Sequence, residues 1–356
     1  KDVFNNKILK IGFDPKLCTK KFLYFFFKKT NCKFISLNNN LIDSIWKRKK
    51  RETKKKFYVL PEESVGRNYK FKIKKIVSNL KKKQADFQLI TASENNAWLL
   101  NIRGGDTKYT PIPYSYILID KNKNINFFSD SSKITNSLKK KFSKVKFFNI
   151  NFISDILLKI KKKRFIIDKN TCSIYLENII EKNNVILDQK DPIYMLKAIK
   201  ETKEIENIKQ AHIYDGAALT KYIFWIKKNF IKKNITEISG EQKLLSFRKK
   251  NKNFKFLSFP TISGTGPNGA IIHYKASKKT NRKLKKGDIY LVDSGGQYNY
   301  GTTDVTRTIS LLNSNQKIKK IFTRVLKGHI AVANFKLKKN TSGSMIDRKA
   351  RKYLRQ

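Results

Sequence analysis

Two stretches of this chain pass through the same order of elements, and that repetition restricts the possible folds more than any other feature. Residues 8–13 read as a strand, 20–29 as a helix, 33–37 as a strand, and the residues up to Trp46 as a short helix. Residues 164–167, 173–182, 184–187 and the segment from Pro192 repeat strand, helix, strand and helix. Each copy also carries D-x-x-x-C, as Asp14 with Cys18 and Asp168 with Cys172. Internal similarity of this kind points to two α/β domains of one design, the first of them lacking its N-terminal half. The second domain is expected over 65–195, with a helix over 69–82, strands over 87–91 and 115–119, the apolar stretch 97–102 and a Gly104-Gly105 turn. Alternating helices and strands imply a layered, mainly parallel sheet.

From about residue 196 the texture changes. Residues 197–233 read as a long helix in which Leu219, Tyr222, Ile223, Ile226 and Phe230 recur at three- and four-residue spacing, the core stripe of an amphipathic helix. A second helix is expected over 239–249, then Gly/Pro-punctuated strands to Leu312, then helices over 316–335 and 344–355. A looser repeat aligns KKNITEISGEQKLLSFR (232–248) with KKNTSGSMIDRKARKYLR (338–355). In the first copy, strands carrying Asp293 and Asp304 follow the helices; in the second, the sequence stops at Gln356, where comparable strands are expected to begin. The expected layout is 1–47 as the end of a first domain, 48–64 as a basic linker, 65–195 as a second domain and 196–356 as a third part.

Lys and Arg number 79 against 27 Asp and Glu, a formal charge of +52 with a pI near 10.2. Such a balance raises nucleic acid or an anionic membrane as a partner. The excess is mostly lysine, runs from Lys1 to Lys352 and accompanies heavy use of Asn, Ile and Phe. AT-rich codons produce that combination, so a solvated, compositionally biased surface is expected, with no specific nucleic acid. The run KRKKRETKKK (47–56) lacks the interleaved aromatics that stack bases and reads as a solvated linker. Cys18, Cys32 and Cys172 are too few and scattered for a disulfide framework or zinc site, which favours a reducing cytoplasm. The longest wholly apolar run, 22–27, falls far short of the ~20 residues of a membrane span, so no membrane partner is expected. A chain that opens on Lys1 reads as part of something longer.

Chemistry concentrates in YLVDSGGQYNYGTTDVTRT (290–308). Asp293 closes an apolar strand, and Asp304 opens the next after a loop holding Gly295, Gly296 and Gly301. A hairpin turning about Tyr298–Asn299 would set the two aspartates directly opposite, with Cβ atoms ~4.5–5.5 Å apart and like charges destabilising the pair. A shared proton, a buried arginine or a cation must compensate them. Two divalent metals ~3.5–4 Å apart, bridged by carboxylates, form a known hydrolytic arrangement. Oxygen donors suit manganese or magnesium, and a histidine in the set would admit zinc, cobalt or iron. Spacing alone leaves ordinary turn aspartates equally open. Thr306 and Arg307 flank Asp304 as possible supports or plain strand residues. GTGPNG (264–269) satisfies G-x-G-x-x-G, but a dinucleotide fingerprint must follow a strand and open a helix. Here Pro267 intervenes and 270–274 reads as another strand, so a turn that places His273 is the better reading. His212 and His329 read as ordinary helix residues.

Five segments in order, AWLLNIRGGDTKYTPIPYSY (97–116), SGTGPNGAIIHY (263–274), LKKGDIYLVDSG (284–295), VDSGGQYNYGTTDVTRT (292–308) and FTRVLKGHIAVA (322–333), carry a resemblance that covers nearly the whole chain. Together they resemble the Xaa-Pro aminopeptidases, "pita-bread" metallopeptidases allied to methionine aminopeptidase, prolidase and creatinase. AWLLNIRG is similar to the three-domain form of that family. The resemblance implies an α/β fold of creatinase-like N-terminal domains, followed by the first half of an α+β pita-bread catalytic domain. It implies Asp293 as terminal ligand of one of two divalent metals and Asp304 as a ligand shared by both. His273 would line the substrate pocket and hydrogen-bond the peptide or the tetrahedral intermediate.

In the family, a metal-bridging hydroxide attacks the bond before a proline in second position, usually with Mn2+, with Zn2+ or Co2+ as alternatives, and the enzyme is a homodimer. The other implied ligands, one His and two Glu, belong to HGTGHGVG-like and later glutamate motifs that these 356 residues do not contain. The 356 residues alone are therefore expected to be inactive. The alternatives are a pita-bread interaction module without catalysis, against which the retained Asp293, Asp304 and His273 argue, and a basic nucleic-acid-binding protein.

Overall fold

The structure, a computed structural model, describes residues 8–28, 31–46, 55–312 and 315–355. Residues 47–54, which include the first part of the predicted basic linker 48–64, lie outside the described residues. The chain divides into two compact units, Lys1–Ala211 with Gln297–Gly301, and His212–Gly296 with Thr302–Gln356.

In the first unit, β1 (Leu9–Phe13), α1 (Lys20–Phe27), β2 (Cys32–Ser36) and α2 (Leu41–Ile45) come first, with β1 and β2 parallel. There follow β3 (Tyr58–Val59), α3 (Tyr69–Lys82), β4 (Phe87–Ile90), α4 (Ser93–Leu99), β5 (Ile102–Arg103), β6 (Ser115–Asp120) and β7 (Ile125–Ser129). Next come α5 (Asn136–Lys141), β8 (Val145–Asn149), α6 (Ile153–Lys159), β9 (Arg164–Ile167), α7 (Ile174–Glu181), β10 (Val185–Asp188) and α8 (Ile193–Ala198). A six-stranded sheet has the order β10-β9-β4-β6-β7-β8.

The sheet is mainly parallel as expected, through β10–β9, β9–β4 and β7–β8, but it is also mixed, because β6 runs antiparallel to both β4 and β7. Only the Lys121–Asn124 turn joins β6 to β7, where Asp120 Oδ1 accepts from Asn122 N and Asn124 N and Lys123 takes φ 70°. So short a connection makes a hairpin; a parallel neighbour needs a crossover of a dozen or more residues. Alternation along the strands supplies two cores. Ile117, Ile119 and Phe127 pack with Ile76 and Leu80, while Leu118 and Phe128 pack with Phe165 and Leu176.

The predicted duplication is present as topology: β1-α1-β2-α2 and β9-α7-β10-α8 each join a parallel pair through a helix. The repeated aspartate has the same task in both. Asp14 accepts from Lys16 N and from Asn40, the N-cap of α2. Asp168 accepts from Asn170 N and from Asp191 N, just ahead of α8. The carboxylate thus ties the turn after the first strand to the start of the second helix. The second copy's cysteine is a core residue, and burial pushes the Cys172 thiol up to about 12.

The long helix α9 (Thr202–Asn229) carries the predicted stripe. After it come α10 (Glu237–Arg248), β11 (Phe254–Leu257), β12 (Ile262–Thr265), β13 (Ile289–Ser294), β14 (Val305–Ser310), α11 (Gln316–Ala333) and α12 (Gly343–Arg351). β13 is central and antiparallel to β12 and β14. Leu219, Tyr222, Ile226 and Phe230 form one buried cluster with Tyr290, Val292 and Ile309, so the helix covers one face of this sheet. A hydroxyl chain stitches the contact, Tyr222 to Tyr290 at 2.7 Å and Tyr290 to Ser263 at 2.7 Å. A bidentate pair ties α10 to α9: Arg248 donates to Asp215 at 2.7 and 3.0 Å with both side chains fully buried. Among the described residues no helix is long and apolar enough to cross a membrane.

Candidate metal centre

Pleating of β13 turns Tyr290, Val292 and Ser294 into the core and leaves Leu291 and Asp293 on the other face. Asp293 lies opposite Ile262 of β12 and Thr306 of β14. The expected direct opposition of Asp293 and Asp304 is therefore corrected. The hairpin turns about Asn299 and Tyr300, one residue later than predicted, and the partner of Asp293 moves by two. A shift of two keeps side chains on the same face, whereas a shift of one would have turned Asp304 away. The aspartates are diagonal neighbours, a spacing still within reach of their carboxyls.

The segment leading into Asp304 is fixed from three sides. Thr303 N donates to Gly296 O at 2.9 Å, Gly296 N donates to Thr303 Oγ1 at 2.9 Å, and Ser258 Oγ donates to Thr303 O at 2.8 Å. This close approach explains the glycine after Asp293-Ser294: a Cβ on Gly295 would collide with Thr303 O and Ser258 Oγ.

Burial, and next the Asp293 carboxylate beside it, push the Asp304 carboxyl above its ordinary value. Asp293 Oδ1 is buried and has no hydrogen-bond partner among the described residues. A buried carboxylate oxygen without a partner is costly unless a cation meets it. Two oxygen-donor side chains on one sheet face, one of them orphaned, fit a hard divalent cation. Among the described residues no cluster of three or more His, Cys, Asp or Glu side chains could hold an ion. Asp293 and Asp304 are the donors that the fold brings together here.

His273 reaches the same place by an unexpected route. Residues 270–274 are not a strand: Gly266–Ala270 forms a 3-10 turn, and His273 sits exposed at φ 54° in the left-handed region. Gly266 at φ 56° followed by Pro267 bends the chain out of β12, so no neighbouring strand is available for pairing. His273 nevertheless lines a cleft of about 520 Å³ together with Asp293, Asp304, Phe259, Ile262 and Lys275. The G-x-G-x-x-G match sits at this 3-10 turn in an antiparallel sheet and opens no α-helix. His212 in α9 and His329 in α11 are exposed helix residues outside the cleft lining. Thr306 shares the face of the aspartates, whereas Arg307 is paired with Val292 and donates to Thr306 O.

One residue escaped the sequence reading. Glu237, fully buried at the start of α10, accepts hydrogen bonds from four groups in and around the loop that carries His273. Thr236 and Ser239 form a capping box that marks a helix start. That pattern finds the helix but not the partners of Glu237.

Residues 47–204 match the Creatinase/Prolidase N-terminal domain, and residues 206–356 match Metallopeptidase family M24. The chain is 35% identical over 367 residues to Xaa-Pro aminopeptidase 1 of Dictyostelium discoideum, covering 98% of this chain and 58% of that protein. It is 37% identical over 332 residues to the probable Xaa-Pro aminopeptidase P of Laccaria bicolor, covering 90% of this chain and 51% of that protein. Among solved structures, the X-prolyl aminopeptidase of Caenorhabditis elegans, described as a cytosolic enzyme with a di-nuclear active site, superimposes with a TM-score of 0.89 at 29% identity. That match covers 98% of this chain and 59% of the other. The chain thus spans between 51% and 59% of the length of these relatives.

Proposed function

We propose that this chain, whose residues 47–204 match the Creatinase/Prolidase N-terminal domain and whose residues 206–356 match Metallopeptidase family M24, serves a dinuclear-metal aminopeptidase that removes an N-terminal residue preceding proline. The observation that carries this reading is the orphaned Oδ1 of Asp293, on the same sheet face as Asp304 and in the cleft lined by His273.

Asp293 would hold one metal as a terminal ligand, and Asp304 would be shared between two. Divalent ions at that position supply Lewis acidity toward a peptide carbonyl and a nucleophile at neutral pH. Manganese suits the carboxylate donors, with zinc or cobalt as alternatives once a histidine joins them. His273, an exposed imidazole in the cleft lining, would hydrogen-bond the substrate carbonyl or the tetrahedral species derived from it. Phe259, Pro260 and Ile262 supply the apolar part of the same wall. A preference for proline in the second position, a homodimer and a cytosolic location belong to the same reading and rest on the family resemblance. With two of five implied ligands present, the 356 residues by themselves should not turn over substrate.

The test uses the full-length gene product supplied with manganese. Cleavage of Arg-Pro-Pro without cleavage of Arg-Ala-Ala supports the proposal; cleavage of both, or of neither, overturns it.

A further inference from the structure

Residues 266–288, between β12 and β13, carry His273 and contain one 3-10 turn, Gly266–Ala270, but no strand and no α-helix. Regular backbone pairing therefore does little to hold this segment. A single side chain takes over much of that task. Glu237, 0% exposed, accepts from Thr265 N at 2.8 Å where the segment begins. It accepts from Asn268 Nδ2 at 3.0 and 3.1 Å and from the Tyr274 hydroxyl at 2.8 Å in the middle. It accepts from Arg282 N at 3.0 Å toward the end. Its backbone is engaged as well, Glu237 N donating to Arg282 O at 3.0 Å and Ser263 Oγ donating to Glu237 O at 2.8 Å. Asn268 further clamps the segment by donating to Thr280 O at 3.0 Å, and the Tyr274 hydroxyl lies 3.1 Å from the same carbonyl oxygen.

Four neutral donors thus converge on two carboxyl oxygens in the first turn of α10, where the helix dipole also favours a negative group. Burying a carboxylate is expensive, and packing alone would be served as well by an apolar residue. What the carboxylate adds is directional: it pins an irregular segment at its entry, middle and exit. The pinned residue Tyr274 directly follows His273, whose left-handed φ of 54° is one that a non-glycine residue keeps only when its surroundings over-determine it. We propose that Glu237 is a positioning residue of this centre, acting through Asn268 and Tyr274 to present His273 to the cleft that contains Asp293 and Asp304. The proposal rests on the reading of His273 as a substrate contact.

A double-mutant cycle on the manganese-loaded full-length gene product tests it, with kcat and KM measured on Arg-Pro-Pro for E237Q, H273A and the double variant. Gln keeps the shape of Glu but points an N–H at groups that are themselves donors. H273A should lower kcat/KM by about 100-fold, the scale of losing one transition-state hydrogen bond. E237Q should lower it by roughly 10-fold, chiefly in kcat, yet by less than about twofold when His273 is already alanine. Equal losses in both backgrounds overturn the positioning role and leave Glu237 a scaffold residue. A silent H273A overturns instead the reading of His273 on which the proposal rests.

A second readout needs no turnover and uses the imidazole resonances of the full-length gene product. Y274F removes one hydroxyl and keeps Glu237, so it also serves if E237Q does not fold. It should shift and broaden the His273 resonance, assigned through H273A, while His212 and His329 stay in place. An unmoved His273 resonance overturns the proposal.

Discussion

Asp168 with Asp191 in the first unit and Asp293 with Asp304 in the second are both aspartate pairs beside the ends of strands or helices, and they differ in what their oxygens meet. Asp168 accepts from Asn170 and from Asp191 N. Asp191 accepts from Gln88, Asn95 and Ile193 N, even though burial raises its carboxyl above the ordinary value. Asp293 keeps a buried oxygen with no hydrogen-bond partner among the described residues, next to a second carboxylate. Polar groups that hold a fold together are mostly paired by the fold, and a buried carboxylate oxygen left unpaired beside a second carboxylate is the costlier exception, which under the proposed reading a cation meets. The first pair is architecture, and under the proposed reading the second is a site, placed there at some expense of stability.

The largest effect should separate the pairs by metal content. In the full-length gene product, D293A should lower manganese affinity by at least about 100-fold, since even the partners of metal ligands are worth 10–100-fold. D168A should leave the stoichiometry, read by elemental analysis, unchanged, and equal losses would break the comparison.

Next comes stability, measured by urea denaturation of the 356-residue chain without metal. D215A strands the buried Arg248 guanidinium and should cost about 3–5 kcal/mol. D168A, which leaves several donors unsatisfied, should cost about 2–3 kcal/mol, while D293A should cost less than about 1 kcal/mol because no hydrogen bond is lost from its orphaned oxygen. An Asp293 variant as damaging as D215A would make that residue scaffold and sink its assignment as a ligand.

Lys72 extends the contrast to a buried cation. It is 3% exposed, donates to Trp98 O at 2.8 Å and Asn101 Oδ1 at 2.6 Å, and lies 3.9 Å from the centre of the Trp98 ring. Burial pulls its pKa from 10.5 to about 7. The folded-state value lies below the unfolded one, so the unfolded chain holds the extra proton across that window. Stability should therefore rise as pH increases from 7 toward 10, by about 1–3 kcal/mol once the favourable ring contact is allowed for. K72M should flatten this slope, and an equal slope in the variant would assign it to other groups.

The smallest effect is expected from D304N in the metal-free chain. Removing one of two neighbouring like charges should stabilise it by a few tenths of a kcal/mol, a small gain because Asp304 is exposed and screened. A loss of stability would mean that Asp304 holds the hairpin together.

The sequence by itself determined the local features: the α9 stripe from Leu219 to Phe230, the duplicated strand–helix order and the presence of two aspartates on either side of a glycine-rich turn. These features depend on residues near one another in the chain, through side-chain periodicity and turn chemistry. Only the tertiary structure decided which residues meet. It made the six-stranded sheet mixed, set Thr306 rather than Asp304 opposite Asp293, turned the expected 270–274 strand into a bend at Gly266-Pro267, and made Glu237 the anchor of that bend. The last of these outcomes, and the seating of Thr303 before Asp304, depend on hydrogen-bond partners tens of residues apart, such as Glu237 for Arg282 or Ser258 for Thr303, and local propensity carries no information about which distant donor will find which acceptor.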